Sequence, residues 1–189
     1  GFTLADVFSY REKHNEANGE GSADGADWNY SVNCGEEGSS RKKKIKELRS
    51  VLMRQAMSTV LLAQGVPLIF AGDEFGNSQN GNNNAYCQDN RVGWVNWKQL
   101  ERNRALFTHV RELLAFRRNH PVIRKRMPVR MSDYEGHGMP DLSYHSTRAW
   151  SGEIYSSMQA VGVMYAGAYG GEEQERYVGW NFAQGECVL

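Results

Sequence analysis

The stretch Val66-Pro67-Leu68-Ile69-Phe70-Ala71, bounded by Gly65 and Gly72 and followed by Asp73-Glu74-Phe75-Gly76, decides how this chain is read. Six continuous apolar residues between glycines suit a strand buried on both faces, as in a parallel sheet covered by helices. Upstream, Ile45, Leu48, Leu52, Ala56, Val60 and Ala63 recur at spacings of three and four, which predicts an amphipathic helix stopped by Gly65. Helix, glycine turn, buried strand and acidic loop are the parts of an α/β unit.

Downstream, Asn77 to Asn84 is too rich in turn-formers to be anything but a loop. A second helix is signalled by Asn96 as N-cap with Gln99 three residues on. Its apolar face is expected to run through Leu100, Phe107, Val110 and Leu114, ending before Pro121. Upstream of the first long helix, residues 1 to 10 allow a short helix. Arg11 to Ser40 is a long polar, glycine-rich connection, and such a connection is uncommon unless it is functional or packed on a partner surface. The basic run Arg41 to Lys44, at the N-terminus of the first long helix, is expected to be a solvated surface.

Past about Arg130 the texture changes. Stretches 158–165 and 177–182 are aromatic and β-branched, separated by glycine-rich turns, so antiparallel β-structure is expected there. The boundary falls between residues 122 and 135.

The chain has 189 residues with 22 Lys+Arg against 22 Asp+Glu. A formal net charge of zero lacks the basic excess that a nucleic-acid binder uses. An apolar fraction of 40% with 11% aromatics argues against disorder. A complete (β/α)8 barrel, which takes roughly 250 residues, does not fit in this length. Cys34, Cys87 and Cys187 form no C-x-x-C pair, so reduced thiols and a cytoplasmic setting are expected. No apolar run reaches the ~18 residues of a membrane span, and Gly1 opens without a targeting signal, as the inside of a longer protein would.

Candidate chemistry gathers at three places. Asp73 and Glu74 follow the buried run, where α/β folds build sites, yet an ion-pair or loop-holding role explains them equally. His14, with Asn15 and Glu16, is a polar cluster in the long connection, where a ligand-facing residue or plain hydration is expected. Tyr86, Asp89, Asn90, Arg91, Trp94 and Trp97 lie within twelve residues; such a group serves a core or a sugar platform. The histidines show no metal-ligand spacing, and phosphate-loop, dinucleotide and serine-elbow motifs are absent from the sequence, so no cofactor is expected.

The segments Gly1 to Asp6, Lys13 to Glu20, Asp24-Gly25, Asn29 to Ser31, Asn33 to Gly38, Gly65 to Gly76 and Asn83 to Asn90 together resemble the α-amylase family of glycoside hydrolases. Within it, the likeness is to isoamylase-type bacterial glycogen debranching enzymes. The resemblance is nearly continuous to about residue 125 and thinner beyond. It implies that residues 1–125 are the C-terminal portion of a TIM barrel, after strand 7, with strand 8 at Gly65 to Glu74 and then the last helix. Residues 126–189 would begin an antiparallel β-sandwich.

The resemblance also implies a parent enzyme that hydrolyses α-1,6 branch linkages of glycogen or limit dextrin with retention, through a covalent glycosyl-enzyme. The nucleophile, the acid/base and the third carboxylate belong to segments before Gly1, so no catalytic residue is assigned and the chain alone is expected to be inactive. The loop of His14, Asn15 and Glu16 is implied to lie over the cleft, and Asp89 to bond a glucosyl hydroxyl, with Tyr86 and Arg91 beside it. Asp73 and Glu74 fall in a family signature of architectural character. An autonomous α-glucan-binding module is the alternative, transglycosylation is undiscriminated, and a severed barrel, its strand edges and apolar helix faces left without partners, is expected to dimerise or to rearrange its β pairing.

Overall fold

The computed structural model describes residues 1–150, 153–181 and 186–188, the last three as backbone only. Contacts divide the chain into two units. One comprises Gly1–Met57 and Ile69–Val110, the other Ser58–Leu68 and Arg111–Leu189.

In the first unit, helix α1 (Leu4–Val7) begins at Thr3, whose hydroxyl accepts the Asp6 N–H at 3.2 Å. Helix α2 (Lys43–Leu62), the expected first long helix, ends before Gly65; its residues to Met57 belong to this unit and those from Ser58 to the other. The residues it buries differ from the expected stripe. Leu48 and Val60 are exposed, whereas Arg49, Met57, Ser58, Leu61 and Leu62 are buried. With apolar residues on more than one face, periodicity alone does not select the face that tertiary packing covers. The Arg49 guanidinium donates to the carbonyls of Gly38 (2.6 Å) and Asn33 (2.8 Å), fixing the long connection to the helix. Arg41 to Lys44 are exposed, as a solvated run should be.

The second expected helix is two: α3 (Lys98–Arg102) and α4 (Arg104–Asn119). The break is at Asn103, whose φ of −114° leaves the helical range while its amide donates to the Phe75 carbonyl at 2.9 Å. The N-cap is Trp97 rather than the expected Asn96, and it makes no side-chain cap bond. Asn96, one residue earlier, accepts the Lys98 N–H at 3.2 Å, and its own N–H donates to Asn77 Oδ1 rather than to Gln99, so no capping box forms. In α4 the inward stripe is Leu106, Val110, Leu113 and Arg117, and Leu114 is exposed.

The run 66–71 is where the structure departs furthest from expectation. Residues 66–70 belong to no helix or strand and Ala71 begins a turn; the run joins no ladder among the described residues, and Val66, Leu68 and Phe70 are 97%, 92% and 54% exposed. Their alternation with the less exposed Pro67 and Ile69 is the period of a strand without its sheet. A strand buried on both faces needs hydrogen-bonded neighbours and covering layers, and the described residues supply no neighbouring strand.

In the second unit, β1 (Leu142–His145), β2 (Ala160–Tyr165), β3 (Arg176–Asn181) and β4 (Glu186–Val188) form an antiparallel sheet in sequence order. Register places Tyr144, Val163 and Val178 in one cross-strand row, and Leu142 opposite Tyr165. The two expected β stretches are thus β2 and β3; Phe182, Leu189 and the Cys187 side chain lie outside the described residues. Cys34 and Cys87 are free thiols.

Several groups tie the end of α2 into this unit. Arg117 donates to the carbonyls of Leu61 (2.8 Å) and Ala63 (2.7 Å) and also to that of Gly65, and the Tyr165 hydroxyl donates to the Leu62 carbonyl at 2.7 Å. Carbonyls at a helix C-terminus have no partner within the helix, so a buried guanidinium is well suited to them. The turn Pro121–Arg124 buries Val122 and Ile123 completely. Gly170 packs so closely there that a Cβ would lie 2.6 Å from the Val122 Cα. Among the described residues no helix is long and apolar enough to cross a membrane.

Candidate functional site

Two polar loops of the first unit, residues 11–40 and 76–97, are joined by a web of side-chain amides. Asn15 is fully buried at its centre: its amide donates to the Asp24 carbonyl (3.0 Å) and to Asn83 Oδ1 (2.9 Å), while its own Oδ1 accepts the Asn83 N–H (3.0 Å). Asn18 donates to Asp24 Oδ2 (2.7 Å) and accepts from Asn82 (2.8 Å), and Asn84 donates to the same carboxylate oxygen (3.0 Å). These amide bonds, Asn18 first, hold the Asp24 carboxyl below its ordinary pKa. Gln88 donates to the Ala17 carbonyl (2.8 Å) and to Asn18 Oδ1 (2.7 Å), so the turn Glu16–Asn18 sits beside the segment that carries Tyr86 and Asp89.

On this scaffold the expected residues take different positions. Half-exposed His14 stands edge-on to Tyr10, with its Nε2 3.4 Å from Glu37 Oε1. Its backbone N–H donates to the Gly81 carbonyl at 2.7 Å. Glu37 is held by the N–H groups of Arg11 (2.9 Å) and Glu12 (3.2 Å). Glu16 is exposed and opens its turn. The exposed Tyr86 hydroxyl donates to Glu20, and that bond, reinforced by the carboxylate's charge, pushes the phenol up to about 12. Asp89 is exposed, and its Oδ1 accepts the Trp94 indole N–H at 2.9 Å. Arg91, Trp94, Val95, Asn96 and Lys98 line an open cavity of about 400 Å³. Asp89, Arg91 and Trp94 therefore share one rim, and Tyr86 with Glu20 lies on the loop leading into it.

Asp73 and Glu74 are engaged with backbone. Asp73 Oδ1 accepts the Leu4 N–H at 2.8 Å, and Glu74 Oε2 accepts the Gly72 N–H at 2.9 Å. Gly72 turns the chain with φ of +97°, where a Cβ would meet the Asn77 Cβ at 2.5 Å. Burial pushes Asp73 up to about 6 against the opposing Leu4 bond, with Glu74 adding repulsion. Asp6, completely buried, accepts the Ser78 hydroxyl (2.5 Å) and the Gln79 N–H (2.7 Å); burial raises its pKa too.

Sequence reading missed Asn18, Glu20, Asp24, Asn83 and Gln88, which shape the rim. The signal available was the density of amides in both loops, which composition reads as hydration. It also passed over Trp28 and Tyr30, an exposed edge-on pair with centroids 6.5 Å apart. Among the described residues no group of His, Cys, Asp and Glu is arranged to hold a metal. The rim offers an indole face beside a carboxylate, a guanidinium and amides, a combination that suits a neutral polyhydroxylated ligand.

The fold is similar to that of a segment of pullulanases. The chain aligns over 81% of its length with the apo pullulanase of Paenibacillus barengoltzii (TM-score 0.56, 22% identity), covering 20% of that chain. Over 72% it aligns with the same organism's pullulanase in complex with maltohexaose and alpha-cyclodextrin (TM-score 0.55, 23% identity, 19% of that chain). No protein-family model matches. In sequence the chain is 44% identical over 138 residues, 70% of its length, to the glycogen operon protein GlgX homolog of Mycobacterium tuberculosis. It is 46% identical over 125 residues, 66% of its length, to the glycogen debranching enzyme of Pectobacterium carotovorum. It is thus a relative of the bacterial glycogen debranching enzymes, and it spans 19% of the length of these two proteins.

Proposed function

We propose that this chain supplies loops of the substrate cleft in a glycoside hydrolase that cleaves α-1,6 branch linkages of glycogen or limit dextrin with retention. The observation that carries the reading is the 44–46% identity to debranching relatives over 138 and 125 residues of the chain. In this reading the run 66–71 is the eighth strand of a (β/α)8 barrel, α4 is the last barrel helix, and residues 126–189 begin a β-sandwich. Exposed Val66, Leu68 and Phe70 are the side chains that neighbouring strands and helices would cover.

Retaining hydrolysis needs two carboxyl groups about 5 to 5.5 Å apart across the scissile bond. In this reading the catalytic carboxylates come from outside this chain; of the carboxylates near the loops, Glu20 and Asp89 each bond an aromatic side chain, and Asp73 and Glu74 hold backbone. Asp89 and Arg91 contact glucosyl hydroxyls beside Trp94; Tyr86, His14 and Glu16 border the cleft; and buried Asn15 positions the loops. The substrate is uncharged, which is consistent with a chain of zero net charge.

The exposed cavity beside Trp94 favours a second reading, in which the chain binds α-glucan without catalysis. Assay and calorimetry separate the two. The chain alone should release no reducing ends from limit dextrin, and Asp89→Ala in the full-length enzyme should lower kcat/KM about 10- to 100-fold, the loss of a hydrogen bond to a charged group. Hydrolysis by the isolated chain would refute the first reading. Maltohexaose binding by the chain, weakened by Trp94→Ala, would establish the second.

A further inference from the structure

A second cavity, of about 490 Å³, opens in the other unit between the turn Pro121–Arg124 and the loop around Tyr134 and Tyr169. Residues 117–130 contain six Lys and Arg and no Asp or Glu, and four of those cations, Arg124, Lys125, Arg126 and Arg130, line the cavity. In a chain of zero net charge this is a local concentration of one sign.

The floor is built rather than incidental. Lys125, its side chain 9% exposed, places its Nζ 3.1 Å from Oδ2 of the completely buried Asp141 and donates to the Tyr134 hydroxyl at 2.8 Å. Asp141 also accepts the Arg130 and Met131 N–H groups, the latter at 2.8 Å. Tyr134 and Tyr169 pack at 4.7 Å between centroids, and the Arg130 guanidinium lies 4.4 Å from the Tyr134 ring centre.

Buried Asp141 thus neutralises Lys125, and Glu135, the carboxylate at the cavity wall, is 3.0 Å from His137 Nε2. Arg124, Arg126 and Arg130 remain; among the described residues none of them is in an ion pair. Three arginines line one opening, with Arg124 donating to the Arg118 carbonyl at 3.2 Å, and their charge exceeds what a monocarboxylate would balance. Their forked donors match the oxygens of a phosphate. The space is larger than an inorganic phosphate requires, and tyrosine rings with Met127 and Pro121 offer the rest of it to a sugar ring.

We propose that this cavity binds a phosphate monoester carried on a hexose, with Arg124, Arg126 and Arg130 on the phosphate and Tyr134 and Tyr169 beside the sugar. The site is independent of the Asp89 rim, so the two proposals fail separately. A free hexose phosphate and a phosphorylated glucan end present the same group.

The test is calorimetry of the 189-residue chain with glucose 6-phosphate, inorganic phosphate, glucose and a 6-phosphorylated maltotriose. Glucose 6-phosphate should bind with a Kd of about 0.1–1 mM, the scale of a few charge-assisted hydrogen bonds at an open site. Affinity should fall as salt rises, because exposed charges are screened. Arg126→Ala removes an exposed side chain that makes no hydrogen bond or ion pair among the described residues, and should weaken binding about tenfold without lowering Tm. Arg126→Lys should restore part of the loss. Tighter binding of the phosphorylated maltotriose assigns the site to glucan ends, and equal or weaker binding assigns it to the free sugar phosphate. No heat with glucose 6-phosphate, equal binding of glucose, or an unaffected Arg126→Ala would overturn the site. Equal affinity for inorganic phosphate would remove the hexose from it.

Discussion

Asp73 shows how a residue at a site-forming position is diverted to structure. Its carboxyl sits after the apolar run, yet it accepts the Leu4 N–H and is pushed up to about 6 by burial, with Glu74 and Asp6 adding negative charge nearby. A folded-state pKa above the unfolded value of about 3.9 means that the native state binds the extra proton. The stability this contributes is complete below pH ~4 and is lost as pH rises through about 6. A shift of that size corresponds to about 3 kcal/mol, which partial solvent contact reduces to about 1 kcal/mol. Asp73→Asn keeps an oxygen for Leu4 and cannot ionise, so its Tm relative to the parent chain should rise by about 2–4 °C between pH 4 and pH 7. Thermal melts across that range check it, and a difference that stays constant or shrinks would exclude Asp73 as the titrating group. A similar local argument disposes of the buried Ser143–His145 pair. His145 Nδ1 accepts the Trp150 N–H at 2.9 Å, so Nε2 carries the proton and donates to Ser143 Oγ at 2.8 Å. An imidazole in that tautomer does not activate the hydroxyl as a nucleophile.

Among the elements, the C-terminus of α2 and the turn after it take three carbonyl bonds from one side chain, beside the one from Tyr165. Arg117 donates to the carbonyls of Leu61, Ala63 and Gly65, and its burial makes their replacement by water incomplete. Arg117→Ala should therefore destabilise by about 3 kcal/mol and lower Tm by about 6–12 °C. Arg117→Lys, which lacks the fork, should recover less than half of that. A melt within 2 °C of the parent, on the order of half a kcal/mol, would show that the bonds are dispensable. Arg117 also marks what the sequence leaves illegible. Helix positions and the β stretches were readable because period and turn residues are local properties. The buried faces of α2 and α4 were not, since the choice of Leu61 over Leu48, or of Leu113 over Leu114, is made by what packs there. The break at Asn103 depends on the Phe75 carbonyl, 28 residues away. In the rim, the clustering of Tyr86, Asp89, Arg91 and Trp94 was visible as spacing. Buried Asn15, Asn82 and Asn83 read as hydrated loop because composition cannot distinguish an amide bonded to water from one bonded to another amide.

At the scale of the molecule, the consequence of the exposed run 66–70 is association. Val66, Leu68 and Phe70 are exposed, and their backbone has no ladder partner among the described residues. Such an edge offers free N–H and C=O groups together with apolar side chains, and both are satisfied by a second strand. Opposing influences are weak: the run holds no charged residue and no proline after Pro67, and a net charge of zero provides no long-range repulsion. A second copy of the chain is available at any concentration used to study it, so the isolated chain should dimerise through this run. Leu68→Lys introduces the charge that natural edges use against pairing, on the exposed face where it disturbs no contact. Light scattering of the eluting peak at increasing concentration should give a dimer mass for the parent chain and a shift toward monomer for Leu68→Lys, with Tm unchanged. A parent chain that remains monomeric at the highest soluble concentration, or a Leu68→Lys variant that dimerises as strongly, would show that the run does not carry the association.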